Sequence, residues 1–182
     1  MNIENKKLLI YRITVFIVCV FTLLGMDFFK IGEAGFKTYS GGVGLPEMQF
    51  GYEPDRLYYI IEQLGSGGRL FYLRFLLYDF IFIAAFALTQ AELMKIFMGK
   101  ALINSKWRYA ISLSYLRGFF DIMENILIII ILTHYPTRLY LLAKLACLST
   151  TLKFITLAVW VMAGLIAVVM NKRMKKEKDT IY

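Results

Sequence analysis

Residues 109–133 read YAISLSYLRGFFDIMENILIIIILT. The second half, 126–132, is unbroken hydrocarbon, while the first half carries Arg117, Asp121, Glu124 and Asn125. On a helix these four are spaced i, i+4, i+7 and i+8, so they share one face. The run is 25 residues long, enough to cross a bilayer with some tilt. A charge in hydrocarbon is costly unless it is paired or hydrated. The stripe must therefore face other helices or a cavity, and the rest of the chain must supply counter-charges.

The composition agrees with a membrane setting. The chain has 182 residues, 59% hydrophobic and 19% charged, with mean hydropathy +0.60. An ordinary soluble domain is far less apolar, and the length suits one domain. The net charge is +8, yet the basic residues flank apolar stretches instead of forming a polar basic face. That pattern is a topology signal and excludes nucleic acid as a partner. Cys19 and Cys147 sit inside apolar stretches with no CxxC pair, and read as packing residues. His134 stands alone, so a histidine metal cluster is not expected. No cofactor is expected.

Three further apolar stretches lie at about 8–29, 70–91 and 139–170, which with 109–133 makes four spans. A basic n-region precedes the first, but Gly25-Met26-Asp27 offers no cleavage pattern, so this stretch reads as a retained helix ending near Asp27. Residues 30–69 are the longest segment between spans. Within them Glu53-Pro54-Asp55 starts a short helix, with Leu57, Ile60, Ile61 and Leu64 on one face and Gly65 as its stop. Tyr52, Tyr58 and Tyr59 suit the headgroup level. Residues 92–108 read as a short basic loop. The tight link 134–138 makes the third and fourth spans antiparallel neighbours. Residues 171–182 read as a basic, mobile cytoplasmic tail.

Lys and Arg concentrate at the N-terminus, in 92–108 and in the tail. The positive-inside rule then puts both termini in the cytoplasm, which in a bacterium means a plasma-membrane protein. Counting from the cytoplasmic edges at 1.5 Å per residue sets Asp79 and Asp121 about 18 Å up, Glu124 and Asn125 about 23 Å up, and Asp27, Arg74 and Lys153 about 26 Å up. Arg117 lies about 8 Å below the layer formed by the others. All four spans thus bring polar groups to one layer in the outer half.

This layer is either an ion-pair network that locks the helices or a ligand pocket. Its four acids, Asp27, Asp79, Asp121 and Glu124, exceed its two bases, Arg74 and Lys153. That excess favours a pocket, with a neutral carboxyl expected at Asp121. Lys153 is expected to meet Asp121 or Glu124. Ser112, Ser114, Ser149, Thr150 and Thr151 read as interhelical hydrogen-bonding groups, because no GxSxG or HExxH context surrounds them.

Four spans in fewer than 200 residues, cytoplasmic termini, a long first outer loop and a basic tail resemble the EXPERA-type membrane proteins, the sterol isomerase and sigma-2-receptor group. Met26-Asp27-Phe28 and Tyr78-Asp79-Phe80 are similar to the acids that face each other from the first two helices of the sigma-2-like members. The resemblance implies a lipid-like or amine ligand between those acids. The isomerase's catalytic histidine has no counterpart, since His134 lies in a turn.

The expected fold is an all-α integral membrane protein, a four-transmembrane-helix bundle with a short amphipathic helix in the first outer loop. Residues 1–170 form the membrane domain. The expected function is binding of a small lipid-like or cationic amphiphilic ligand in an outward-opening pocket. Asp27, Arg74, Asp79, Arg117, Asp121, Glu124, Asn125 and Lys153 are its candidate residues. Two alternatives stand beside it. One is a membrane enzyme acting on a lipid or isoprenoid-like substrate, with Asp121 and Glu124 as acid and base. The other is a homodimeric proton-coupled transporter. Membrane lipids and a second copy are the expected partners besides the ligand.

Overall fold

A computed structural model describes the backbone of residues 3–180, and their side chains except those of Ile3, Asp27, Lys100, Ala101 and residues 175–180. The described residues are helical, with no strand. Six α-helices follow in order: α1 Ile3–Phe28, α2 Glu33–Tyr39, α3 Pro54–Gln63, α4 Gly65–Ile103, α5 Ser112–His134 and α6 Tyr140–Thr180. Short 3₁₀ turns lie at Pro46–Met48 and Lys106–Ile111.

Among the described residues, α1, α4 and α6 are long and apolar enough to cross a membrane, over Glu4–Met26, Gly65–Gly99 and Tyr140–Met174. α5 does not join them on composition. Within its 23 residues Arg117, Asp121 and Glu124 leave no charge-poor window of bilayer length. The count of apolar spans is therefore three, where the sequence reading expected four. The amphipathic pattern that disqualifies α5 also explains its position: its buried residues include Ser114, Arg117, Gly118, Asp121, Glu124 and Asn125. It packs this polar face between α4 and α6, and among the described elements the α5–α6 contact is the most extensive.

Two further expectations are corrected. Residues 92–108 are not a simple loop, because α4 continues to Ile103 through a break at Gly99 (φ +60°, ψ −175°). Only glycine adopts that conformation readily, and a Cβ there would stand 2.7 Å from the Asn171 amide. The basic run reads as a loop in sequence because it is polar, yet Glu92 on it is buried and bonded by Arg12 at 2.9 Å and Lys95 at 2.6 Å. The expected tail is also helical, since α6 runs to Thr180. Tyr52 and Tyr58 are buried in the protein, and Tyr59 is exposed beneath the Arg56 guanidinium.

The segment between α1 and α4 is a cap over one end of the bundle. α3 begins on Pro54 at its first position with Asp55 in its first turn, an arrangement suited to the helix dipole. Leu57, Ile60 and Ile61 are buried beneath it, on the stripe the sequence shows. Gly65, at φ +61°, lets the chain turn from α3 directly into α4. Phe36, Leu45, Tyr52 and the α3 stripe form one core with Tyr72, Phe75 and Leu76 of α4, Leu127, Ile128 and Ile131 of α5, and Ala143 and Ala146 of α6. A second core, around Met94, Met98, Leu102, Trp160 and Ala167, lies toward the opposite end. The polar residues of α4, α5 and α6 fall between these two cores.

Candidate functional site: a buried ion cluster beneath the cap

Lys153 of α6 is the hub. Its Nζ lies 2.9 Å from Asp121 Oδ1 and 2.6 Å from Glu124 Oε2 on α5. Asp121 and Glu124 are i and i+3, so one ammonium reaches both from the facing helix. Asp121 Oδ2 takes a second cation, Arg117 Nη2 at 2.7 Å, one turn away on its own helix. The guanidinium also lies over the Phe86 ring, 4.4 Å from its centroid. Glu124 is fully buried, and Thr150 Oγ1 donates to its Oε1. Asn125 Nδ2 donates to Asp79 Oδ2 at 2.9 Å, which ties α5 to α4. The expected contact of Lys153 with the α5 acids is thus present with both of them.

A cavity of about 70 Å³ adjoins this cluster. Its walls include Glu47 and Met48 from the cap, Asp79, Phe75 and Phe82 from α4, Arg117 and Asp121 from α5, and Lys153, Phe154 and Leu157 from α6. A volume of this kind has room for several waters or a small polar group.

The sequence reading did not find Glu47. It sits in the 3₁₀ turn Pro46–Met48, where an acid after proline reads as a solvated loop residue. It is buried, and Tyr72 Oη donates to its Oε2 at 2.6 Å. Its Oε1 is buried with no hydrogen-bond partner among the described residues. Burial pushes the Glu47 carboxyl up to about 8, the nearby Glu124 adds to the rise, and the Tyr72 hydrogen bond opposes it. Tyr52, packed in the cap, is held well above the usual tyrosine range by burial and by Glu124.

The remaining candidates divide. Asp79, Arg117, Asp121, Glu124, Asn125 and Lys153 are brought together. Arg74 is not: it lies exposed on α4 and takes no part in the cluster. Five residues separate it from Asp79, which rotates it about 140° around the helix. The Asp27 side chain lies outside the described residues. Arg117 belongs to the layer despite its lower backbone position, because its side chain reaches back up to Asp121. Both cations therefore converge on Asp121, so within the cluster the carboxyls without an ion-pair partner among the described residues are Asp79 and Glu47, not Asp121. Of the hydroxyl residues, Thr150 bonds across helices, while Ser112 and Thr151 bond carbonyls four residues back or nearer in the chain.

The chain was compared with protein-family models, with curated protein sequences and with solved structures, and it matches none of them.

The Lys153 bridge yields a direct test. Lys153→Met should destabilise the solubilised protein by roughly 3–5 kcal/mol, because two buried carboxylates lose their shared cation. Adding Glu124→Gln should recover a large part of that loss, giving a coupling energy of at least about 1 kcal/mol in a thermal double-mutant cycle. Purely additive effects would mean that the two groups do not meet in the folded protein.

Proposed function

We propose that this protein binds the cationic head of a small amphiphile in the cavity beneath its cap. The observation that carries this reading is the pair Glu47 and Asp79. Both are buried and line the cavity, and neither has an ion-pair partner among the described residues. The described cluster holds four acids, Glu47, Asp79, Asp121 and Glu124, against two bases, Arg117 and Lys153. The two bases are engaged by Asp121 and Glu124, which leaves the cavity-facing carboxyls unmatched. An ammonium group supplies the missing charge. Phe75, Phe82 and Phe154 in the same wall are suited to it, since aromatic faces attract cations. Met48 and Leu157 complete an apolar lining that suits a head carrying an apolar tail. The EXPERA-type resemblance, which implies an amine or lipid-like ligand between Asp27 and Asp79, favours the same ligand class.

In this reading α5 is a fourth membrane crossing. Its charges are neutralised inside the bundle, and Ile126 to Leu132 provide its apolar half. The Lys and Arg bias supports cytoplasmic termini, with the cap and the cavity toward the outside. A single cysteine at Ser66, introduced in a background lacking Cys19 and Cys147, should react with an impermeant thiol reagent on intact cells. Reaction only after lysis would reverse the orientation.

Ligand class is tested with dodecylammonium, dodecanol and dodecyl sulfate in a competition assay on the purified protein. The ammonium should bind best, and Asp79→Asn should weaken it about tenfold or more, a loss of about 1.4 kcal/mol. The sign of the pH effect follows from Glu47. Its carboxyl, raised to about 8, is protonated in the unliganded site at neutral pH, and a cation favours the deprotonated form. Binding therefore expels a proton, and affinity should rise with pH up to about 8 and then level off. Glu47→Gln should flatten that rise. Equal binding of the three amphiphiles, or a pH profile unchanged by Glu47→Gln, would contradict the proposal.

A further inference from the structure

Five buried polar atoms of four residues lie at the lower edge of the ion cluster or below it, on the side away from the cap. Gln90 Oε1, Ser114 Oγ, Trp160 Nε1 and the Nε and Nη1 donors of Arg117 all lack a hydrogen-bond partner among the described residues. Gln90 and Ser114 are 2% and 0% exposed, and Trp160 and Arg117 are 9% exposed. A buried polar group without a partner is expensive, and in native proteins such groups are almost always satisfied by protein or by ordered water.

Helix register shows that these groups belong together. α4 and α5 run antiparallel, and Asn125 bonds Asp79 while Arg117 covers Phe86. A Cβ on Gly118 would stand 3.2 Å from Ala87 Cβ. Continuing that register by one turn sets Ser114 level with Gln90. α5 and α6 are also antiparallel, with Asp121 at Lys153 and Glu124 at Thr150. About two turns further along both helices, Ser114 is level with Trp160. The faces agree as well. Asp79, Phe86 and Gln90 are i, i+7 and i+11 on α4, Ser114, Arg117 and Asp121 are i, i+3 and i+7 on α5, and Lys153 and Trp160 are i and i+7 on α6. Three helices thus bring one polar side chain each to a single level, and Arg117 stands between that level and the cavity.

We propose that Gln90, Ser114 and Trp160 form a second polar site whose ligand is water, and that this water continues past Arg117 to the cavity. The hydrogen-bond chemistry fits. The indole and guanidinium N–H groups only donate, the Gln90 carbonyl only accepts, and the Ser114 hydroxyl does both. Water, which both donates and accepts, matches all of them without adding charge beside the cluster. The vertical distance from Ser114 to Asp121 is about 10 Å, spanned by about three waters at hydrogen-bond spacing. The cavity then exchanges water with the half of the bundle away from the cap and is not a closed end. This goes beyond the amine-binding reading and does not rest on it.

Trp160 reports on the site directly. Trp107→Phe leaves it as the sole tryptophan, and the exchange of its indole N–H with D₂O is read by NMR in lipid nanodiscs. The expected result is exchange within minutes despite the burial of the ring. Gln90→Leu and Ser114→Ala should each slow it by about tenfold or more as the water loses a partner. The Ser114 variant removes only an oxygen, so it preserves packing if the Gln90 variant does not fold. An indole that stays protonated for days, or an exchange rate untouched by either variant, would overturn the proposal. Neither result bears on amphiphile binding, so the two readings fail separately.

Discussion

One ammonium group holds α5 in place. Lys153 bridges Asp121 and Glu124, and without it α5 would carry two buried carboxylates against a single guanidinium. Buried pairs of this kind are weak evidence for net stability, since desolvation can exceed the Coulombic gain. Their role here is specificity. Thr150 on Glu124 and Asn125 on Asp79 add directional bonds on either side of the bridge. Together these contacts allow one rotation and one depth for α5 between α4 and α6. The cap depends on the same arrangement, because its apolar underside packs on the turns of all three helices just beyond the cluster.

Much of this was legible in the spacing of residues 117, 121, 124 and 125. A polar stripe in a run that is otherwise hydrocarbon has few physical solutions, and depth counting then pointed to Lys153 as the partner from α6. Counting alone fails where rotation matters. Arg74 has a suitable depth but lies on the outer side of α4, because depth and azimuth are independent on a helix. Arg117 shows the converse: its backbone is too low, but its side chain is long enough to reach back a turn. Glu47 gave no signal because its burial depends on the cap folding over the bundle, a tertiary event that local pattern does not encode. The reach of α4 beyond residue 91 was hidden for a related reason. A charged run reads as loop unless the partner of Glu92, Arg12 of α1, is already known to be beside it.

The two cations at Asp121 shape the chemistry of the site. With two cations on that carboxyl, the charge excess moves to Glu47 and Asp79, toward the cap and the cavity. An acid from a connecting segment that lines one cavity with an acid of α4 makes the cap a wall of that cavity as well as its cover. It also separates a locked half of the polar layer, built around Lys153, from a half whose charge is unbalanced. The first half positions the helices, and the second has chemistry left for a ligand.

The most direct test is the infrared absorption of protonated carboxyl groups in the purified protein at neutral pH, before and after addition of dodecylammonium. A protonated-carboxyl band is expected without the amphiphile, absent in Glu47→Gln, and lost from wild type when the ammonium binds. No such band in the unliganded protein, or a band that persists unchanged in saturating ammonium, would contradict an unbalanced carboxyl pair facing the cavity.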